Sequence, residues 1–297
     1  MPARLTLTPF GPQHIDEFKE LCRRDPVRFN IPGTLLFWRG LPPEGWWGMW
    51  LRSRGAGERL VSVLTHDEDG RTGVWGPSGD DPEASAALPR SAMPVLVALG
   101  DSPLMFLDAR ADLSEAFAAL RPPRKSEGLL IQTLAAADFR PWTGDSSGRG
   151  GRTARRAMPD DAPALTEFYN SSPIFGGRTV EGIRLSLARQ IIWFVPATPA
   201  EREAGLAPAG IAASAWASTA LPGAARVAGV YTSPGLTGRG LASLATSAVC
   251  AEALGRGLTV CLWVSQDNPA AMKAYDRLGF RPVEEVLKLR YSDSEGY

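Results

Sequence analysis

The stretch Val227–Thr246, VAGVYTSPGLTGRGLASLAT, constrains this chain more than any other. Residues suited to a strand run out through Val230, Tyr231 and Thr232. Pro234 ends the strand, and an Ala- and Leu-rich helical run starts at Leu241. Between them stand Gly235, Gly238 and Gly240. Glycine admits positive φ and lets backbone approach a ligand with no Cβ in the way. A strand that turns through glycines into a helix gathers free N–H groups and the positive end of the helix dipole at one spot, which suits a pyrophosphate. Helix capping alone explains such a turn equally well, so a second feature is required.

That feature is Asp267–Phe280, DNPAAMKAYDRLGF. Asn268 can start a helix and Gly279 can stop it. Asn268 and Tyr275 are seven residues apart, so they share a helix face about 10.5 Å apart along the axis. Leu258–Val264, between the two features, has the large side chains on both faces expected of a buried strand. On a helix beside a phosphate turn, Tyr275 is either a core aromatic or a proton donor, and we favour the donor.

The remaining elements alternate. After Thr143–Arg152, a Gly- and Ser-rich linker, we expect a strand at Thr153–Ala157 and helices from Asp160 and at Val180–Arg189. Strands follow at Ile191–Val195, Gly210–Ser218 and Arg226–Thr232, with Pro196–Pro208 as a polar loop. A helix at Leu241–Gly255 precedes the buried strand, and Phe280–Tyr291 supplies closing strands. The fold class is α/β (α+β), with a mixed central sheet and helices on both faces. The basic run Arg149, Arg152, Arg155 and Arg156 reads as linker and strand edge rather than an anion site. Glu252 and Asp276 read as exposed helix residues.

The first half echoes this opening. TLTPFGPQHIDEFKELCRRDP from Thr6 lies without gaps on TARRAMPDDAPALTEFYNSSP from Thr153, with Pro12 on Pro159 and Pro26 on Pro173. Strands are expected at Trp46–Leu51, Leu60–Thr65, Gly73–Trp75 and Pro103–Asp108, and helices at Pro82–Leu99 and Leu113–Leu120. We read a degenerate repeat, against the alternative of two unrelated α/β domains. The domains are then 1–142, a linker at 143–152, and 153–297. Where the second half has its glycine turn, the first has GVWGPSGDD, whose Asp80 and Asp81 would repel phosphate.

Lys plus Arg and Asp plus Glu number 32 each, which argues against a nucleic-acid partner. No apolar run is long enough to span a membrane, and the start MPARLTLTPF lacks the layout of a signal peptide, so we expect a soluble cytoplasmic chain with no membrane partner. Cys22, Cys250 and Cys261 have no metal-ligand spacing, and His14 and His66 lie far apart. No metal is expected.

Glycine turn, helix, buried strand and then Asn268, Ala271, Tyr275, Gly279 and Phe280 resemble the GNAT (Gcn5-related) N-acetyltransferase superfamily, in a tandem-GNAT arrangement with a degenerate N-terminal half. The family turn is commonly Q/R-x-x-G-x-G/A. Here it is Thr237, Gly238, Arg239, Gly240, Leu241 and Ala242, and Thr237 departs from the usual Gln or Arg. The resemblance implies acetyl-CoA, or another acyl-CoA, as co-substrate. It places the thioester and pantetheine along Val230, Tyr231 and Thr232, the pyrophosphate on Thr237–Ala242, and the pantetheine arm at Asn268. Tyr275 becomes the general acid for the leaving thiolate. The acyl group moves to an amine, on a small molecule or a peptide, by direct attack in a ternary complex. No carboxylate or histidine stands out as base, so a water-mediated or distant base is expected. Two alternatives are a non-catalytic acyl-CoA-binding sensor or scaffold and an aminoacyl-tRNA-dependent transferase. We expect a monomer or homodimer.

Overall fold

The computed structural model describes residues 5–39, 45–53, 57–67, 70–77, 81–99, 106–144, 151–173, 175–207 and 209–291. Residues 103–105 of an expected strand, Asp80, Arg149, Pro208 and linker residues 145–150 lie outside them. In chain order the elements are β1 (Leu5–Pro9), α1 (Ile15–Arg24), α2 (Asn30–Arg39), β2 (Trp46–Ser53), β3 (Gly57–His66), β4 (Arg71–Trp75), α3 (Pro82–Leu99), β5 (Phe106–Arg110), α4 (Ala111–Leu120) and β6 (Lys125–Leu134). There follow β7 (Arg155–Arg156), α5 (Ala162–Asn170), α6 (Val180–Arg189), β8 (Gln190–Pro196), α7 (Pro199–Glu203), β9 (Ile211–Ser218), β10 (Ala224–Thr232), α8 (Leu241–Gly255), β11 (Thr259–Ser265), α9 (Pro269–Leu278) and β12 (Arg281–Arg290).

The chain forms two compact units. Of the described residues, one comprises those within 5–131, 264–267 and 282–291; the other comprises those within 132–263 and 268–281. The chain ahead of the expected linker, from Gln132, thus packs with the second unit, and the closing strand from Pro282 packs with the first.

In the first unit β1, β2, β3 and β4 pair antiparallel in sequence order, β4 then pairs parallel with β5, and β5 pairs antiparallel with β12. A parallel pair cannot be joined by a tight hairpin, so the chain crosses over through α3 between β4 and β5. Leu64 and Val74 of the strands, Leu88 of α3, Leu113 and Phe117 of α4 and Leu289 of β12 meet in its core.

The second unit repeats the scheme. Strands β7, β8, β9 and β10 pair antiparallel, and β10 pairs parallel with β11 across the α8 crossover. Side chains of a strand alternate between faces. Ile192 and Phe194 of β8 join the core under α5 and α6, while Trp193 turns the other way and donates its indole N–H to Glu252 of α8 at 2.5 Å. Helices therefore cover both faces, as expected. The small residues Ala213, Ala215 and Ala217 of β9, on the same face as Trp193, are fully buried. Their size lets α8 settle close to the sheet, where Ala245, Val249, Cys250 and Ala253 are buried in turn.

The two openings match in local structure. With Thr6 laid on Thr153, the 3₁₀ turn Pro12–His14 falls on the 3₁₀ turn Pro159–Asp161, and α1 and α5 start at corresponding residues. In the first, Gly11 N–H donates to His14 Nδ1 at 3.0 Å; in the second, Met158 N–H donates to Asp161 Oδ2 at 2.8 Å. The described arginines of the basic run are ion-paired: Arg152 with Glu201, Arg155 with Asp161 and Arg156 with Glu252.

Several elements differ from the sequence expectation. The polar loop after β8 contains α7, whose capping residue Thr198 accepts the Glu201 N–H while Glu201 takes back the Thr198 N–H. α2 holds Pro32 and Gly33, which hide its helical pattern. β6 starts with polar residues and was not foreseen. The closing segment is one strand, not several. Glu252 is not a free surface carboxylate: it ties Arg156, Trp193 and Arg256 together. Asp276 is exposed, as expected.

Gly279 ends α9 in the left-handed region, at φ 99°, and a Cβ there would lie 2.0 Å from the Asp138 carbonyl oxygen. Gly279→Ala should therefore cost about 2 kcal/mol or more through strain and collision, which a lowered melting temperature would reveal.

Candidate active site

The site is built where β10 and β11 part. Their parallel pairing runs from Ala224↔Thr259 to Val227↔Leu262 and stops. On the other edge of β10 the register with β9 slips: Ala228 faces Trp216, but Tyr231 faces Ser214. Three steps on β10 against two on β9 is a one-residue bulge. Gly229 sits in it at φ 55°, and a Cβ there would fall within 1.7 Å of the Trp216 indole. The bulge disrupts the β9 ladder around Val230, while β11 no longer pairs with this part of β10. Val230, Tyr231 and Thr232 thus continue β10 beyond its last β11 partner, half-buried along the opening. An isolated glycine inside a strand pattern is the signal that could have located this bulge in advance.

Beyond β10, Ser233 N–H and Oγ hold the backbone of β9 through Ala212 and Ile211, which anchors the start of the turn. Pro234–Leu236 makes one 3₁₀ turn. Thr237 Oγ1 donates back to the Pro234 carbonyl at 3.2 Å, so this hydroxyl closes the turn instead of replacing the reach of a Gln or Arg. Gly238 and Gly240 both adopt positive φ, 75° and 73°. Arg239 leans on Glu201 Oε1 and the Gly235 carbonyl, each at 3.4 Å. Glu201 is buried, also accepts from Arg152, and is held below the usual carboxylate range by the Thr198 N–H and Arg152 against the opposing effect of burial.

Gly240 is the N-cap of α8 and has no side chain to offer. The first helical bond runs from Leu244 N–H to the Gly240 carbonyl. The N–H groups of Leu241, Ala242 and Ser243 precede it and have no acceptor within the helix. The first turn of α8 contains no acidic residue. These features fit a phosphate-bearing group: positive φ at both glycines, no capping side chain, and several uncommitted donors at the positive end of a 15-residue helix. At the corresponding helix of the first unit, α3, Asp81 Oδ1 accepts the Ala84 N–H at 3.1 Å, so a carboxylate of the chain already occupies the helix start.

Asn268 caps α9. Its Oδ1 accepts the Ala271 N–H at 3.0 Å, which leaves the exposed carboxamide with its Nδ2 donors for another group. Tyr275, two turns on, is 9% exposed and packs edge-on to Phe280, with ring centroids 5.7 Å apart. Burial, with a smaller effect of Cys250, pushes its phenol up to about 12. A phenol at that value stays protonated through the neutral range and can only give a proton, not take one. The α9 and α8 helices touch each other, so the Asn268–Tyr275 face and the glycine turn belong to one unit.

Both histidines belong to the first unit. His14 accepts the Gly11 N–H, and His66 Nδ1 lies 2.8 Å from Thr72 Oγ1. All three cysteines are buried and none forms a disulfide. Among the described residues no cluster of three His, Cys, Asp or Glu could hold a metal, and no helix is long and apolar enough to cross a membrane.

Residues 206–288 match the family described as FR47-like protein. The chain is 31% identical over 250 residues to a mycothiol acetyltransferase of Corynebacterium aurimucosum, covering 82% of this chain and 74% of that one. Its fold is similar to a GCN5-related N-acetyltransferase from Sphaerobacter thermophilus, with a TM-score of 0.61, 14% identity and all of both chains covered. It is similar as well to a tandem GNAT protein from the clavulanic acid biosynthesis pathway, with a TM-score of 0.54, 14% identity, 98% of this chain and 100% of that one covered. Together with the glycine turn at the head of α8, that level of identity over most of the sequence establishes that the chain belongs to the GNAT superfamily of acyl-CoA-dependent N-acetyltransferases.

Proposed function

We propose that the second unit moves an acetyl group from acetyl-CoA to an amine by direct attack in a ternary complex. The observation that carries this reading is the uncapped start of α8 behind two left-handed glycines, next to the opening between β10 and β11. Acetyl-CoA supplies the acyl group as an activated thioester. The N–H groups of Gly238, Arg239, Gly240, Leu241 and Ala242 hold the diphosphate, and Thr237 shapes the turn through its bond to Pro234. The backbone of Val230, Tyr231 and Thr232 aligns the pantetheine and polarises the thioester carbonyl, the type of electrostatic help that acyl transfer needs. Asn268 Nδ2 donates to the pantetheine arm. Tyr275 keeps its proton at neutral pH and gives it to the departing sulfur as the C–N bond forms and the C–S bond breaks. The amine's own proton leaves through water, because neither β10 nor β11 contains a carboxylate or histidine. Zero net charge and the built phosphate turn favour acyl-CoA over aminoacyl-tRNA as donor. The name of the Corynebacterium relative makes mycothiol-related amines the first acceptors to try.

Acetyl-CoA should raise the melting temperature, because it binds only the folded state. Gly240→Asp should abolish that rise by putting a carboxylate where phosphate would lie; a wild-type chain indifferent to saturating acetyl-CoA would refute the reading.

Tyr275→Phe should keep coenzyme affinity and lower kcat on an accepted amine by roughly 10²- to 10⁴-fold. An unchanged kcat would return Tyr275 to a packing role, and binding without turnover on any amine would favour a sensor.

Calorimetry should give one coenzyme per chain, since Asp81 fills the helix start in the first unit. A stoichiometry near two would show that the first unit binds coenzyme as well.

A further inference from the structure

Between Pro234 and Ala242 the turn carries a single charged side chain, that of Arg239. Its guanidinium leans on Glu201 Oε1 and on the Gly235 carbonyl, each at 3.4 Å. The side chain is 51% exposed, so solvent and solutes reach it. Glu201 belongs to α7, the helix inside the β8–β9 connection. That connection also lies against the turn, since a Cβ on Gly235 would stand 2.6 Å from Leu206 Cδ2.

The two arginines on Glu201 are held unequally. Arg152 donates to Oε1 at 2.9 Å and to the Pro196 carbonyl at 2.6 Å, and its side chain is only 22% exposed. The Thr198 N–H takes Oε2 at 2.9 Å. Both carboxylate oxygens therefore have a close partner without Arg239. The 3.4 Å contact of Arg239 is longer than an ordinary N–H···O bond, and an exposed ion pair of this kind adds little stability. Arg239 can leave without stranding Glu201 as a buried, unpaired charge. A phosphate oxygen offers the same guanidinium a shorter, charge-assisted bond.

We propose that Arg239 exchanges partners. Without coenzyme its guanidinium rests on Glu201; with coenzyme A bound it turns to a phosphate, while Glu201 keeps Arg152 and Thr198. Glu201 is then a built-in competitor that sets the affinity of the site, because coenzyme must outbid the resting contact. The inference rests on the coenzyme reading above and adds a regulating carboxylate to it.

The test is calorimetry of the full chain with coenzyme A and 3′-dephospho-coenzyme A, on wild type, Arg239→Gln, Glu201→Gln and the double variant. Arg239→Gln should weaken coenzyme A by about tenfold, the loss of one charge-assisted bond. Its ligand-free melting temperature should match wild type, because the resting contact is weak. Glutamine at position 201 keeps an oxygen for the Thr198 N–H but gives up the charge. Glu201→Gln should tighten coenzyme A by about two- to threefold, and should change nothing in the Arg239→Gln background. A loss in Arg239→Gln seen with both titrants puts the arginine on the diphosphate, and a loss confined to coenzyme A puts it on the 3′-phosphate; each supports the proposal. Wild-type affinity in Arg239→Gln overturns it, and so does a marked fall in that variant's ligand-free melting temperature. Those two readings decide the matter even where Glu201→Gln does not fold. Glu201→Gln also overturns the proposal if it leaves affinity unchanged, weakens it, or tightens it equally in both backgrounds, since the last result is plain charge repulsion. If wild type itself fails to bind coenzyme A, the coenzyme reading fails first and the inference with it.

Discussion

Each unit depends on a single geometric constraint, the change from antiparallel to parallel pairing. A hairpin cannot join parallel strands, so the chain must cross the sheet face through a helix. In the second unit that helix is α8, and the crossover puts its N-terminus just past the end of β10. The positive end of the helix dipole and the end of the sheet pairing are thereby brought to the same place. The bulge at Gly229 and the early end of the β10–β11 ladder then leave strand backbone beside the helix start.

The same constraint operates in the first unit, where α3 crosses between β4 and β5. What differs is the chemistry at the helix head. Asp81 places its carboxylate on the Ala84 N–H and pairs with Arg59, so the helix start is satisfied from within the chain. At α8 the corresponding position is Gly240, which cannot do this. A single side chain thus separates a helix start that is capped from within the chain from one that has no capping side chain. The repeated 3₁₀ turns at Pro12 and Pro159 fit a common local plan under the two outcomes.

Charged groups around the turn are balanced. Glu201 would repel a phosphate if it stood alone near Arg239, but Arg152 and Arg239 share it and the Thr198 N–H fixes it. Glu252 does similar work farther along α8, where it joins β7 and β8 to the helix through Arg156 and Trp193. Both carboxylates hold the scaffold, and neither lies on the strands that line the opening. That agrees with a mechanism in which Tyr275 supplies the proton and water removes the other.

The glycine turn, the helix from Leu241 and the Asn268–Tyr275 spacing could be read from the sequence, because positive φ, helix capping and the 3.6-residue period are properties of a few neighbouring residues. Most strands were legible for the same reason, through local runs of Val, Ile and alternating side chains. α2 was hidden by Pro32 and Gly33, and β6 by its polar start. Other features were set only by the folded chain. The assignment of β12 to the first unit, the fastening of Asp138–Trp142 onto α8 and α9, and the burial that raises the Tyr275 phenol each depend on residues far apart in sequence. Local pattern fixes what a segment can become, but which distant surface covers it, and therefore which polar atom is left buried without a partner, is decided by packing alone.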